Sequence, residues 1–268
     1  ALSTVQNNRD HRKIVVIDGK TAFTGGVNLA DEYIGELERF GTWKDTAIMV
    51  QGEAVRNFTL MFLEIWNVDE PQENYEKYLD ASYCYGMTEG EGYVIPYGDS
   101  PLDHENVGEL VYMDILNSAK DYVHIMTPYL ILDHEMLTAL TYAAKRGVDV
   151  KIIMPGIPDK AYAFALAKTY YPELLRAGVK IYQYKPGFVH AKSFTSDDCK
   201  GVVGTINLDY RSLYLHFEDG VWIYKNRVIQ DIKDDFVQTM EYCHQVDLDF
   251  CLNRSLGVRM MQNIFRVF

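Results

Sequence analysis

One pattern is written twice in this chain. His11, Lys13, Asp18, Gly25 and Asn28 recur as His190, Lys192, Asp197, Gly204 and Asn207, each pair 179 residues apart. Both copies read H-x-K, four residues, D, six residues, G-x-x-N. Five polar or backbone-special residues repeating in register point to a duplicated half-site. They constrain the chain to a fold in which two related halves each bring one histidine to a shared centre.

Composition limits what that centre serves. At 268 residues, 48% of them apolar, the chain can bury a substantial core. A net charge of −12 argues against a broad nucleic-acid surface, which needs a basic patch or stripe. It leaves room for a local basic pocket and an anionic substrate. Cys84, Cys199, Cys243 and Cys251 form no C-x-x-C pair, so free thiols are expected rather than a zinc or redox motif. No apolar run is long enough to span a membrane, and residues 1–10 do not read as a signal peptide.

Periodicity predicts a layered α/β architecture. Ahead of the second motif, strands are expected at 93–96, 122–127, 148–154 and 179–184, alternating with helices at 106–119, 135–146 and 161–177. Strands at 202–205 and 217–224 and a helix at 227–243 follow it. The first copy has matching downstream parts: strands at 14–17, 22–24 and 46–50 and a helix at 53–66. It has only ten residues upstream, where the second copy has about ninety, so the first lobe is expected to be truncated at its N-terminus. The expected organisation is residues 1–70 as the C-terminal part of a first lobe, 71–92 as a linker, 93–251 as a second lobe, and 252–268 as a basic amphipathic tail. That tail carries Arg254, Arg259 and Arg266 and either lies on an anionic membrane surface or packs on the body.

The motif residues suit phosphate chemistry. Imidazole titrates near neutrality and can act as nucleophile, acid or base. A histidine and a lysine two residues apart on a strand share one face. The lysine is expected to be a fixed charge that holds a phosphate oxygen and repels a metal cation. The glycines permit close backbone approach; the asparagines offer amide donors or serve as helix caps. His104, His124, His134, His216 and His244 lack the repeat and are expected to be solvated or core-satisfied histidines.

The two copies resemble the HKD motifs of the phospholipase D superfamily. The segments NNRDHRKIVVIDGKTAFTGGVNLADEY, FGTWKDT, TPYLILD, RGVDVKIIMPG, AGVKIYQYKPGFVHAKSF and GTINLDYRSLYLHFE are similar to bacterial cardiolipin synthases over nearly the whole chain. The resemblance implies a bilobal α/β phospholipase D-like fold, with mixed sheets flanked by helices and the active site between the lobes. It implies transfer of a phosphatidyl group from one phosphatidylglycerol to another, with release of glycerol, through a phosphohistidine and without metal or cofactor. His11 is favoured as nucleophile and His190 as acid/base. Lys13, Lys192, Asn28 and Asn207, with Gly25 and Thr205, are expected at the substrate phosphate, and Asp18 and Asp197 are expected to support the site through charge pairing. Asp45 and Glu218, on strands after their histidines, match the family's histidine-orienting carboxylates. The family often has serine after the motif glycine; Thr205 keeps the hydroxyl and Gly26 does not, so the first half is expected to contact phosphate more weakly or through backbone. The resemblance also implies phosphatidylglycerol and an anionic membrane as partners, no nucleic acid, and a bacterial cell membrane for the full-length protein, whose spanning segments are absent from this chain. Motifs alone leave hydrolysis by a phospholipase D, other phosphatidyl transfers and an inactive membrane-binding fragment as alternatives.

Overall fold

A computed structural model describes residues 8–70, 74–79 and 90–252. In chain order the elements are β1 (Arg9–Asp10), β2 (Val15–Ile17), β3 (Thr21–Gly25), β4 (Thr42–Lys44), β5 (Ala47–Gln51), α1 (Val55–Asp69), β6 (Tyr93–Asp99), α2 (Val107–Ser118), β7 (Tyr122–Met126), β8 (Leu130–Ile131) and α3 (His134–Lys145). They continue with β9 (Asp149–Pro155), α4 (Ala161–Ala177), β10 (Lys180–Tyr184), β11 (Gly187–Val189), β12 (Ser193–Ser196), β13 (Lys200–Gly204), β14 (Leu208–Asp209), α5 (Tyr210–Tyr214), β15 (His216–Tyr224), α6 (Val228–Glu241), β16 (Cys243–Gln245) and α7 (Leu248–Leu252). Of the expected linker, 71–73 and 80–89 lie outside the described residues, and Tyr75–Tyr78 form one 3-10 turn. The tail from 253 onward also lies outside them.

The main sheet runs β1-β15-β13-β12-β7-β9-β10-β16, with β6 also paired to β15. Its central strands are apolar on both faces because both faces are covered. Ile125 and Ile152 point to the side of α2, α3 and α4, joining Tyr112, Leu140 and Tyr171. Their neighbours Met126 and Ile153 point the other way, onto Phe236 of α6. Asp133 caps α3 through the amide of Met136, and Gly178, with φ of 103°, closes α4 in the left-handed conformation that glycine adopts without strain.

The first-half strands form a small antiparallel sheet, β2-β3-β5. It lies against the main sheet on the side of α6. Ala22, Ile48, Val50 and the α1 residues Val55, Phe58 and Met61 share one core with Val203, Val221 and Ile223 of β13 and β15 and with Ile229 and Ile232 of α6. A large apolar side chain contributes roughly 1.5–3 kcal/mol when fully buried, so parting the halves would expose a costly surface. Inside this contact the Thr24 hydroxyl donates to Asp219 Oδ2 at 2.6 Å. Burial, opposed by that hydrogen bond, pushes the Asp219 carboxyl up to about 7.

Two short parallel pairings lock the halves together. β1 lies beside β15 with Asp10 opposite Phe217, and β4 lies beside β11 with Lys44 opposite Val189. These two- and three-residue strands are too short to carry a period-2 signal, and periodicity missed them. They set the register of the site.

Candidate active site

Each motif histidine begins where one of these pairings ends. The amide of His11 donates to the Phe217 carbonyl at 2.9 Å, and the amide of His190 donates to the Lys44 carbonyl at 2.7 Å. The residue after each carbonyl is a carboxylate. His11 Nδ1 lies 3.0 and 2.9 Å from the two Glu218 oxygens, and His190 Nδ1 lies 2.8 Å from Asp45 Oδ2. The pairing is therefore crossed. Each carboxylate orients the histidine of the other half, whereas sequence spacing had grouped Asp45 with His11 and Glu218 with His190. The physical reason is the backbone exchange: β1 and β4 each leave their own half to pair with a strand of the other.

Neither histidine sits in a strand, which corrects the expectation that His and Lys share a strand face. Both lie in the short unassigned stretch before β2 and β12. Each lysine instead turns back and donates its Nζ to the carbonyl of its own motif histidine, Lys13 to His11 at 2.6 Å and Lys192 to His190. Burial lowers the proton affinity of Lys13, against the pull of Glu218. It brings fully enclosed Lys192 down to about 7, against Asp45.

The carboxylates stay ionised. Burial raises the Glu218 carboxyl, but the hydrogen bond from His11, with His216 close by, outweighs it and holds the group at about 2. Asp45 follows the same pattern: burial opposes, and the His190 hydrogen bond with the Lys192 charge brings it below the ordinary value. Burial, with Lys192 beside it, drives His190 down to about 4 despite Asp45.

Asp18 and Asp197 do not reach the histidines. They occupy the tight turns β2–β3 and β12–β13, with φ of 54° and 51°, followed by Gly19 at 62° and Asp198 at 53°. Two consecutive residues of positive φ open each three-residue turn, a conformation that favours Asp and Gly at these places. The Asp197 carboxylate accepts the amides of Lys120, Asp121 and Tyr122 at 2.8–3.0 Å. Its support is by backbone amides rather than charge pairing, so the final D of the motif builds the turn that carries the strand.

The expected phosphate donors are engaged locally. Asn28 Nδ2 donates to Tyr33 Oη at 2.5 Å, and Asn207 Nδ2 to Ser212 Oγ at 3.0 Å. Gly25 and Gly204 are close-approach positions: a Cβ there would stand 2.3 Å from the Thr46 carbonyl and 2.4 Å from the Asp219 carbonyl. Thr205 is fully buried and its hydroxyl donates to Glu218 Oε2 rather than facing a substrate. Gly26 answers the departure seen in the sequence. A Cβ at this position would lie 2.0 Å from Asp45 Oδ1 and 2.8 Å from the His190 carbonyl. In one half a hydroxyl steadies the carboxylate; in the other the carboxylate fills the space itself.

Three site residues escaped the sequence reading. Tyr33 Oη lies 3.5 Å from His190 Nδ1. Trp43 packs against His190 and His216 against His11. The available signal was that Trp43 and His216 each stand two residues before an orienting carboxylate. His11, His216 and Glu218 place ligand-capable atoms within 4.8 Å of one another.

A family model described as cardiolipin synthase, PLD-like domain, matches residues 112–240, which include His190, Lys192 and Glu218. About half of the chain, with the second histidine motif, thus carries a PLD-like domain. The chain is 38% identical to a cardiolipin synthase of Alkalihalophilus pseudofirmus, over 97% of the chain and 52% of that protein. It is 62% identical to an uncharacterized protein of Streptococcus mutans, over 97% of the chain and 56% of that protein. The chain thus spans about half the length of the curated relatives it matches. The fold of a phosphatidylserine synthase from Haemophilus influenzae superposes with a TM-score of 0.73 at 14% identity, covering 98% of this chain and 70% of that one. Among the described residues no helix is long and apolar enough to cross a membrane.

Proposed function

We propose that this chain is the catalytic part of a cardiolipin synthase, a phosphatidyltransferase working on phosphatidylglycerol at a bacterial membrane. The crossed dyads carry the reading: two imidazoles, each with Nδ1 held by a buried carboxylate, leave their Nε2 atoms for a shared phosphodiester. Similarity to cardiolipin synthases over nearly the whole chain supports the choice of lipid.

In this mechanism His11 Nε2 attacks phosphorus of the first phosphatidylglycerol. The P–O bond to glycerol breaks, and the leaving oxygen takes its proton from His190. The hydroxyl of a second phosphatidylglycerol then gives its proton to His190 while its oxygen attacks phosphorus and the P–N bond breaks. Burial favours the neutral form of His190. An arriving phosphodiester anion raises its proton affinity, so substrate binding loads the acid. Glu218 balances the charge that develops on His11, and Lys13 and Lys192 supply positive charge beside the phosphate.

The test is product analysis with labelled phosphatidylglycerol in vesicles. Cardiolipin and glycerol are expected, with both lost in His11→Ala and His190→Ala. Phosphatidic acid without cardiolipin would overturn the transfer reading in favour of hydrolysis.

A further inference from the structure

The two dyads share a plan but differ in the ring that stands beside each histidine. Two residues before each orienting carboxylate an aromatic ring rests on the motif histidine. Trp43 meets His190 at 5.7 Å between centroids and an interplanar angle of 47°; His216 meets His11 at 5.8 Å and 47°. Spacing of two on β15 puts His216 and Glu218 on the same face of the strand. The rings occupy equivalent places, but only one of them is an imidazole.

That difference falls on Glu218. Its Oε2 is engaged by the Thr205 hydroxyl and by His11. Its Oε1 is engaged by His11, and His216 Nδ1 lies 3.5 Å away, at the long limit of a hydrogen bond. The His216 side chain is 13% exposed, and both of its ring nitrogens are enclosed without a well-formed hydrogen bond. A buried imidazole needs an acceptor for its N–H, and Glu218 Oε1 stands 3.5 Å from Nδ1.

We propose that His216 is a positioning residue whose Nδ1–H donates to Glu218 Oε1 and fixes that carboxylate against His11. Glu218 is then held from three sides, by His11, His216 and Thr205. Asp45 takes the amide of Thr46 and the ring of His190, and Trp43 only packs. The His11 dyad is the more rigidly oriented of the two, which separates the roles of two histidines that the motif repeat makes look equivalent. The kinetic part of this inference rests on the proposed lipid transfer; the spectroscopic part does not.

The test begins with nitrogen-15 NMR of the His216 ring in the unmodified chain. The Nδ1–H tautomer is expected, and an Nε2–H tautomer overturns the proposal. Next, the downfield proton of the His11–Glu218 bond is followed in His216→Phe, which keeps the ring but loses the donor, and in His216→Asn, which keeps a donor. The resonance is expected to shift or broaden in the first and persist in the second. With phosphatidylglycerol vesicles, kcat is expected to fall about tenfold or more in His216→Phe at nearly constant KM, with His216→Asn restoring most of it. An unchanged resonance in His216→Phe, or two variants that behave alike, would sink the idea. Absence of lipid turnover in every form, with the resonances as expected, would count against the lipid reading and leave the positioning role standing.

Discussion

His11 Nδ1 and Glu218 Oε2 are separated by 207 residues in sequence and by 2.9 Å in space. His190 and Asp45 mirror them across 145 residues at 2.8 Å. Each half of the protein supplies the imidazole of one dyad and the carboxylate of the other, so neither half holds a complete catalytic pair.

Crossing predicts which chemical step each carboxylate serves. Glu218→Gln should slow formation of the covalent intermediate on His11, and Asp45→Asn should slow the proton transfers made by His190, each by roughly 10²–10⁴. Rapid-quench trapping of labelled phosphatidyl enzyme separates them. Asp45→Asn should still accumulate intermediate with an activated donor that leaves without protonation, and Glu218→Gln should not. The reverse pattern would assign the nucleophile to His190.

Gly26→Ala should damage activity without touching substrate. A Cβ 2.0 Å from Asp45 Oδ1 forces the carboxylate off His190. Loss of at least ~10² in kcat is expected, with a cooperative unfolding transition retained. Full activity in this variant would mean that the Asp45–His190 contact is dispensable.

Asp197→Ala should act on stability. It removes a left-handed turn residue and the acceptor of three backbone amides, at a cost of about 1–3 kcal/mol. Asp197→Asn, which tolerates positive φ and keeps an acceptor, should recover most of that loss. Urea midpoints check this, and a direct catalytic role for Asp197 would show instead as lost turnover at unchanged midpoint.

The pH dependence of stability follows from His190. Burial, then the Lys192 charge, takes its folded pKa from 6.5 to about 4. Between those values the unfolded chain binds the proton and the folded chain does not. The contribution is complete above pH 6.5 and is lost as pH falls towards 4. Wild type should lose up to about 3 kcal/mol more than His190→Asn over this interval, read from urea titrations at pH 7 and pH 4.5. Equal losses in both proteins would contradict a neutral buried imidazole.

Much of the scaffold was legible. The helix at 161–177 appears with the expected bounds, and β7, β9, β10, α2, α3 and α6 begin and end within two residues of theirs. These elements are long or strongly apolar, and their periodicity reports burial directly. Reading failed where contacts are remote. β1, β4 and β11 are two or three residues long, and their pairing depends on partners far along the chain. His216 lies outside the repeat, and its neighbour His11 comes from the opposite half, so the motif comparison does not reach it.

The sequence by itself determined that there are two half-sites. The repeat of His, Lys, Asp, Gly and Asn is a local pattern, and each copy folds through local rules: a tight hairpin at the aspartate, a close strand approach at the glycine. Tertiary structure alone decided how the half-sites join. A carboxylate's choice between two histidines depends on which strands exchange across the interface and in what register, and that register is fixed by backbone pairing and a shared apolar core rather than by any spacing along the chain.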